Sequence, residues 1–408
     1  MSLWQKIFLS SSVKKGEELS PQEKGAATSK RSEPSLDNNE VKNCSVSHLN
    51  IKDMFPEEVA VLHVQMDGKD MFRLVGANRF LPLDVRQQDK PPRSLGESIR
   101  KEIPASEIRR AFIDYSVSKV ELRRWLIRLL EKYRNELKLI IIDHTHFEVP
   151  WELIDLHERH YVGSMIPTTR WLDVFTPTAE PYSLTVAHDE CAGRTLSCYL
   201  YQEVDHRDIE AEALSKLDYN RTGDLLYFFE MLCQLDSSVG MVIVSSHAFF
   251  EVGKSREISV GSKVDSQNRL PLSTFRETQL GVIKASRPIV FLNGCDSARV
   301  TSEEERFVSS YRLGFPEVFL AKGARGFIGT LAAVVDLHAA EYARDFIDKA
   351  LKNPDMPVAA ILKELRAEAV AALPINPVPD DSQSRKFLNT FMYVYYGNPL
   401  TNLKLKEA

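Results

Sequence analysis

Short runs of apolar residues, many of them β-branched, recur along the chain between Gly, Asn and Ser. Such runs are typical of strands that are covered on both faces of a parallel sheet. Stretches with helical spacing of apolar residues separate them, and this alternation predicts an α/β fold with right-handed crossovers and a mostly parallel sheet flanked by helices. The predicted strands of this sheet are 139–143, 195–201, 241–246, 288–293, 324–331 and a terminal strand at 391–396.

Other patterns predict the helices and one hairpin. Residues 59–75 alternate between apolar and polar positions around Asp67-Gly68, which indicates an antiparallel hairpin. A weak strand is predicted at 257–260 inside the long polar connection 249–280. Connections of that length in a compact domain are more often functional loops. The predicted helices are 117–137, 209–217, 224–235, 337–351 and 358–373.

The first 48 residues differ in composition from the rest of the chain. Residues 10–47 are rich in Ser, Lys, Glu, Pro and Asn and poor in large apolar side chains, so they cannot bury enough surface to offset the entropy of ordering. We interpret 1–48 as a flexible leader. Its short apolar start, 1–9, is interpreted as a disordered terminus, with a small docking peptide as the alternative.

Charge and cysteine content exclude several classes of protein. The 408 residues carry a net charge of −5 with no long basic run, so no nucleic-acid partner is expected. The five cysteines are scattered without a CxxC pair, which argues against a disulfide framework or a zinc site. No apolar run is long enough to span a membrane. We therefore expect a cytoplasmic protein with no metal, no cofactor and no membrane contact.

The most informative feature is a histidine and a cysteine that each follow a predicted buried strand. His247 follows the strand at 241–246, and Cys295 lies 48 residues later, just past the strand at 288–293. The carboxyl ends of parallel strands are where α/β sheets keep their functional groups. An imidazole that accepts the thiol proton makes a cysteine nucleophilic, and a caspase-type histidine precedes its cysteine by about fifty residues. The pair therefore predicts covalent hydrolysis of an amide.

Backbone groups beside the pair could stabilise the reaction. Gly294 permits a tight turn before Cys295 and a close approach of backbone. The N–H groups of Cys295 and Ala248 are predicted to form an oxyanion hole, whose donors often supply the largest stabilisation in acyl transfer.

Five sequence blocks resemble one known family, the CHAT domain, a caspase-like cysteine protease module of clan CD that is related to caspases and separases. The resemblance covers about 137–405, and no block is diagnostic alone, but the five stand in the expected order. The blocks are Pro150–Leu153, the strand before His247, Asn293–Ser297, Lys322–Leu331 and Tyr396–Pro399.

The resemblance implies roles and a domain organisation. It implies that His247 is the general base and Cys295 the nucleophile, within a caspase-like protease region at 186–408. It also implies a degenerate caspase-like N-terminal half, assigned here to 49–185. The family commonly has Gly after the histidine, whereas this chain has Ala248. His144 and His146 follow a strand of the N-terminal half without a partner cysteine, so we interpret them as structural or surface residues.

Three acidic residues are candidates for binding a basic P1 side chain of the substrate. Asp336 follows the strand at 324–331, Asp296 is next to the nucleophile, and Glu251 lies in the loop after His247. For Asp336 the favoured alternative is a helix N-cap, since Asp is a preferred capping residue. Trp151 and Glu152 are interpreted as core packing and a buried hydrogen bond.

Three functions remain open. The first is a cysteine endopeptidase that cleaves specific protein targets and is regulated or activated by processing or by a protein partner, and the resemblance extends this to prokaryotic defence or regulated cell death. The second is a catalytically idle caspase-like scaffold that binds a regulator. The third is amidase or acyltransferase chemistry on a small molecule, and a long cleft would argue against it.

Overall fold

A computed structural model gives the structure of the chain, and the described residues belong to the compact unit Val41–Ala408. The structure describes residues 43–44, 55–68, 71–87, 94–145, 147–175, 186–200, 206–251, 254, 257–302, 312–375 and 379–408. The predicted leader lies outside these residues except at 43 and 44, which form a short strand rather than unstructured chain. His146 also lies outside the described residues.

Most of the described strands belong to one sheet of twelve strands. Its order is β19-β8-β10-β14-β17-β18-β6-β5-β2-β3-β4, with β9 also paired to β8. The described strands are β1 (Asn43–Cys44), β2 (Val59–Met66), β3 (Phe72–Ala77), β4 (Leu83–Gln87), β5 (Lys138–Asp143), β6 (Thr168–Trp171), β7 (Val174–Phe175), β8 (Asp189–Tyr199), β9 (Tyr219–Thr222), β10 (Val239–Ser245), β11 (His247–Phe249), β12 (Ser259–Gly261), β13 (Arg269–Pro271), β14 (Ile289–Asn293), β15 (Thr301–Ser302), β16 (Arg312–Leu313), β17 (Gly326–Thr330), β18 (Tyr393–Gly397) and β19 (Thr401–Leu405).

Helices cover both faces of this sheet. The described helices are α1 (Leu95–Arg100), α2 (Ala105–Ser118), α3 (Val120–Tyr133), α4 (Val162–Met165), α5 (Arg207–Leu214), α6 (Leu225–Cys233), α7 (Leu272–Glu277), α8 (Gly281–Ser286), α9 (Phe315–Ala321), α10 (Asp336–Lys352), α11 (Val358–Ala371) and α12 (Asp381–Met392), with 3-10 turns at Arg134–Glu136, Trp151–Leu153 and Ser266–Asn268. The fold is therefore α/β with a mostly parallel sheet, as the alternation of the sequence predicts.

The continuous apolar runs are explained by burial on both faces. In β10, Met241 and Ile243 pack into one core cluster, which also contains residues of α2, α3, α5, α10, α11 and α12. Val242 and Val244 of the same strand pack into a second cluster with residues of α6, α7, α8 and α9. Successive side chains of a strand point to opposite faces, so a strand with two covered faces reads as uninterrupted apolar sequence.

One reversal in the sheet separates its two halves. Pairing is antiparallel for β17–β18, β2–β3 and β3–β4, and the other described pairings of this sheet are parallel. Because β18 runs against β17 but with β6, the strands β6, β5 and β2 run opposite to β8, β10, β14 and β17. The carboxyl ends of the two sets of parallel strands therefore point to opposite edges of the sheet.

Three predicted elements differ from the structure. The helix predicted at 117–137 corresponds to α3, which is shorter, and residues 117–118 instead end α2, a helix that the sequence pattern does not predict. Lys119 separates the two helices, and its buried ammonium reaches Gln87 Oε1 at 3.0 Å. The terminal strand predicted at 391–396 begins only at Tyr393, because the preceding residues complete α12, and β19 follows it. The described part of the connection 249–280 is not irregular, since β12 and β13 in it form a small antiparallel sheet with β11.

Candidate active site

The two residues that carry the predicted chemistry lie at the ends of neighbouring strands. β10 and β14 pair in parallel, with Ser245 opposite Asn293. His247 and Cys295 each stand two positions beyond this last pair, and carboxyl ends of parallel strands share one edge of a sheet. The fold therefore brings His247 and Cys295 to the same level of the same edge.

Gly294 provides the close approach between the two strand ends. A Cβ atom on Gly294 would lie 2.6 Å from the carbonyl oxygen of Ser246 and 3.5 Å from the backbone nitrogen of Ala248. Real Cβ atoms do not approach a carbonyl oxygen that closely, so only glycine leaves room for this contact. The turn before the cysteine is therefore packed directly against the backbone that carries the histidine.

The turn that carries Cys295 is anchored to β17 and the loop after it. Thr330 Oγ1 donates a hydrogen bond to the carbonyl oxygen of Gly294 at 2.7 Å, and the N–H of Asp296 donates to Ala332 O at 3.2 Å. Asp296 itself adopts a left-handed backbone conformation with φ of 56°. Such conformations are uncommon outside glycine and are frequent at functional sites, where neighbouring contacts hold them.

The backbone N–H of Ala248 points away from its own small sheet. Ser262 N donates to Asn268 O, and Leu272 N donates to Ile258 O, so the residues directly before and after β12 bond to the β13 side, and by alternation Val260 between them does too. Hydrogen-bonded and non-bonded pairs alternate in an antiparallel ladder. Ala248 and Val260, which stand opposite each other, therefore form a pair without backbone hydrogen bonds between them. The N–H of Ala248 is directed away from β12, and Gly294 approaches Ala248 closely at this point.

The thiol of Cys295 is mostly buried and is neutral at rest. Its sulfur lies 3.9 Å from the carbonyl oxygen of Val334. Burial raises the pKa of the Cys295 thiol above its usual value, and the negative charges of Asp296 and Asp336 act in the same direction. A thiolate must therefore be generated by proton transfer when the cysteine attacks, because it is not the resting form.

A cavity of about 640 Å³ adjoins this strand edge. Ala248 and Asp296, the residues directly after His247 and Cys295, both contribute to its wall. The aromatic ring of Phe249, which also lines the cavity, is covered by the guanidinium of Arg269 at 3.9 Å from the ring centroid. The cavity therefore has an aromatic and charged wall immediately beside the candidate dyad.

Of the three predicted substrate-binding acids, Asp296 is the most constrained. Its carboxylate lies 3.2 Å from Arg299 and 3.8 Å from Arg100. Arg299 also pairs with Glu148 of the N-terminal half at 2.6 Å and is almost completely buried. Burial raises the pKa of the Asp296 carboxyl, and the two arginines oppose this effect. Asp296 thus lines the cavity, but its charge is already balanced by arginines.

The other two predicted acids differ in position. Glu251 lines the cavity, is exposed, and pairs with Lys254 at 2.6 Å. Asp336 is not among the lining residues, although its charge acts on the thiol of Cys295. Asp336 is the first residue of α10 rather than its N-cap, which is Val335, so the predicted capping role is wrong by one position.

Sequence reasoning missed one buried carboxyl at this site. Glu210 on α5 is 1% exposed and accepts a hydrogen bond from Ser245 Oγ at the end of β10. It occupies the apolar stripe of its helix, three, four and seven positions before the buried Ala213, Leu214 and Leu217. An acidic residue in such a stripe is the sequence signal that could have revealed it.

Among the described residues, no group of three or more His, Cys, Asp or Glu side chains could hold a metal ion. No helix in the described part of the chain has the length and apolar character needed to cross a membrane.

Comparisons with known proteins give only distant similarity. No family model matches the chain, and no curated protein matches it either. The Saccharomyces cerevisiae separase–securin complex is similar with a TM-score of 0.39 and 15% identity, over 68% of this chain and only 17% of that one. The Arg-specific cysteine proteinase gingipain R gives a TM-score of 0.42 and 10% identity over 70% of this chain and 68% of that one.

A complex of the Porphyromonas gingivalis RgpB pro- and mature domains gives a TM-score of 0.43 and 10% identity over 70% of each chain. TM-scores below 0.5 do not establish a common fold. The fold class of this chain therefore rests on its own sheet topology, and the predicted membership in the CHAT family stays a prediction.

Proposed function

We propose that the chain is a cysteine endopeptidase that cleaves specific protein targets with Cys295 as nucleophile and His247 as general base. The observation that carries this proposal is the register of β10 and β14, together with the contact of Gly294 against the backbone around Ala248. This arrangement supports a nucleophile, a base and a backbone donor close together beside the cavity.

The proposed reaction follows from these positions. As Cys295 Sγ bonds to the carbonyl carbon, its proton passes to His247, and the N–H groups of Ala248 and Cys295 donate to the oxyanion. The tetrahedral intermediate collapses, the C–N bond breaks, and the imidazolium protonates the leaving amine. Water, deprotonated by His247, then hydrolyses the thioester and restores the thiol.

We further propose a preference for a basic P1 side chain. Glu251 and Glu257 line the cavity on one side, while Asp296 lies beside the nucleophile. Burial is the main cause of the raised pKa of the Cys295 thiol, and the charges of Asp296 and Asp336 add to it, although Arg299 and Arg100 already offset the charge of Asp296. A cation bound near Asp336 would reduce this smaller contribution and so favour the thiolate. Binding of such a substrate would then promote its own cleavage.

The test is a peptide library incubated with the wild type and with Cys295→Ala and His247→Ala. We expect a loss of about 10³-fold or more for Cys295→Ala and about 10²-fold or more for His247→Ala. Cys233→Ala, which alters a partly buried cysteine of α6, is the matched control and keeps wild-type cleavage. Equal cleavage by the wild type and Cys295→Ala contradicts the proposal.

The raised pKa of the Cys295 thiol favours one alternative, a catalytically idle scaffold that binds a regulatory protein. The absence of cleavage by the wild type across the library would support it. The regulatory partner and the cytoplasmic location stay predictions from the sequence. A role in prokaryotic defence or cell death and the division into halves at residue 185 stay predictions from the sequence resemblance.

A further inference from the structure

A buried carboxyl group lies beneath the ends of the two strands that carry the candidate dyad. Ser245 is the last residue of β10, and its hydroxyl donates a hydrogen bond to Glu210 Oε1. Asn293 is the last residue of β14, and its side chain also hydrogen-bonds to the Glu210 carboxyl. Ser245 and Asn293 stand opposite each other in the sheet. Glu210 therefore joins the two strand ends through side chains.

The side chain of Asn293 is held in one orientation. Tyr393 donates its hydroxyl to Asn293 Oδ1 at 2.7 Å, and Asn293 Nδ2 donates to the carbonyl oxygen of Ala339 at 3.2 Å. Since the amide oxygen is occupied by Tyr393, the second N–H of the amide is the group that faces Glu210. While it is ionised, the Glu210 carboxylate therefore accepts hydrogen bonds from side chains of both strands and donates none.

Among the residues that the structure describes, no Lys, Arg or His offsets the charge of Glu210. Burial raises the pKa of its carboxyl to about 7, and the hydrogen bonds from Ser245 and Asn293 oppose this shift. A buried carboxylate without a cationic partner is costly compared with an apolar side chain. Packing alone therefore does not explain a glutamate here.

We propose that Glu210 is a positioning residue of the candidate dyad. By accepting hydrogen bonds from Ser245 and Asn293, its carboxylate fixes the two strand ends relative to each other and so holds His247 within proton-transfer reach of Cys295. This inference rests on the proposed function, in which those two side chains exchange a proton. Misplacement of reacting groups by about 1 Å can cost about 10²-fold in rate, so such a cross-link has a measurable effect.

Protonation should weaken this cross-link. A protonated carboxyl uses one oxygen as a donor, so it accepts less well from Ser245 and Asn293 together. The titratable groups nearby are Tyr393 on β18, Tyr342 stacked on it at 3.6 Å, and Cys295 on the adjoining turn. Burial raises the pKa of both tyrosines further above 10, so neither ionises near pH 7.

The experiment measures the reactivity of the Cys295 thiol, which requires no knowledge of the substrate. The full-length protein is treated with iodoacetamide at several pH values between 5.5 and 8.5, and peptide mapping gives the rate of alkylation of Cys295. The ratio of this rate in the wild type to that in His247→Ala reports how well the imidazole assists the thiol. We expect a ratio of at least tenfold at pH 7.5, falling below about threefold in a Glu210→Ala background.

Three further variants separate positioning from folding. Glu210→Gln keeps one acceptor for Ser245 but, like the protonated carboxyl, cannot also accept from Asn293, so it should show the lower ratio of the protonated state at every pH. Ser245→Ala removes one hydrogen bond and gives an intermediate ratio, which keeps the test available if Glu210→Ala does not fold. Ala213→Gly loosens the same helix without touching these hydrogen bonds and keeps the wild-type ratio.

Several outcomes overturn the proposal. They are an unchanged ratio in Glu210→Ala or Ser245→Ala, equal rates in the wild type and His247→Ala, and a ratio that collapses equally in Ala213→Gly. Failure of the proposed function is a separate result, since it appears as peptide cleavage that Cys295→Ala does not reduce. Where cleavage is measurable, Glu210→Ala lowers kcat about tenfold to 100-fold and leaves KM within about twofold.

Discussion

The two halves of the sheet each place a histidine after a buried parallel strand, but of these two only His247 has a cysteine just past the end of the neighbouring parallel strand. In the C-terminal half, His247 follows β10 and meets the turn of Cys295 on the neighbouring strand. In the N-terminal half, His144 follows β5, and the polar side chains at the end of β5 form hydrogen bonds with one another. Asp143 accepts hydrogen bonds from Thr145 and, at 2.8 Å, from the indole of Trp151.

The surroundings of the two histidines differ in the same way. His144 has its ring 6.2 Å from that of His63, and its Nε2 lies 3.7 Å from Asp173. These residues lie at the edge of the sheet opposite to Cys295, because β18 reverses the strand direction between the halves. The two histidines therefore differ in their neighbours. His247 has a cysteine at the end of the adjacent parallel strand and a glycine that permits close contact between the two strand ends, whereas His144 lies beside His63 and Asp173.

Breaking the buried ion pair of the N-terminal half should have the largest effect of the changes considered, namely a loss of folding stability. Glu152 and Arg170 are almost fully buried and lie 2.6 Å apart. Glu152→Ala leaves a buried guanidinium without its carboxylate, so we expect a loss of about 3–5 kcal/mol in the free energy of unfolding. Denaturant titration measures this loss.

The double variant Glu152→Leu with Arg170→Met is the control for that prediction, since it removes both charges and should cost less than the single change. Peptide cleavage per folded molecule should stay within about twofold of wild type in both. A large loss of turnover in folded protein would show that the N-terminal half contributes to the chemistry.

Adding one methyl group between the strand ends of the C-terminal half should mainly affect turnover. Gly294→Ala places a Cβ atom 2.6 Å from Ser246 O, so the turn of Cys295 must move away from the histidine strand. We expect kcat to fall about 10²-fold. Gly68→Ala is the matched control in the N-terminal hairpin, where φ is +96° and the nearest atom is 3.7 Å away.

Gly68→Ala should cost about 1 kcal/mol of stability through backbone strain and leave kcat unchanged. Equal kcat values in the two glycine variants would contradict the role given to Gly294.

The smallest of these effects is a pH dependence of stability from the N-terminal half. Burial, with a contribution from His144, lowers the pKa of His63 to about 4. The unfolded chain takes up a proton near pH 6.5, whereas the folded chain does so only near pH 4. Stability is therefore complete above about pH 6.5 and falls as the pH decreases toward 4.

Between pH 7.5 and 5 this residue should account for a loss of about 2 kcal/mol. His63→Leu removes that part of the pH dependence, which unfolding curves at the two pH values will show. An unchanged pH dependence in His63→Leu would mean that His63 is not held neutral by burial.

Much of the fold could be predicted from the sequence because burial leaves a periodic pattern. The hairpin around Gly68 is confirmed by β2 and β3, and the predicted helix at 337–351 agrees with α10 to within a residue at each end. The interpretation of Trp151 and Glu152 as buried structural residues is also confirmed. The end of helix α12 at Met392 is not predicted, because the apolar residues 391–396 have the composition of a strand throughout.

The sequence by itself determined which strands are buried, and it placed a histidine and a cysteine after two of them, because local periodicity and turn residues suffice for both. Tertiary structure alone decided that β10 and β14 are neighbours in register, that β18 turns the N-terminal strands around, and that Glu210 reaches both strand ends. These facts depend on pairings between residues far apart in the chain, and such pairings leave no local signal in sequence.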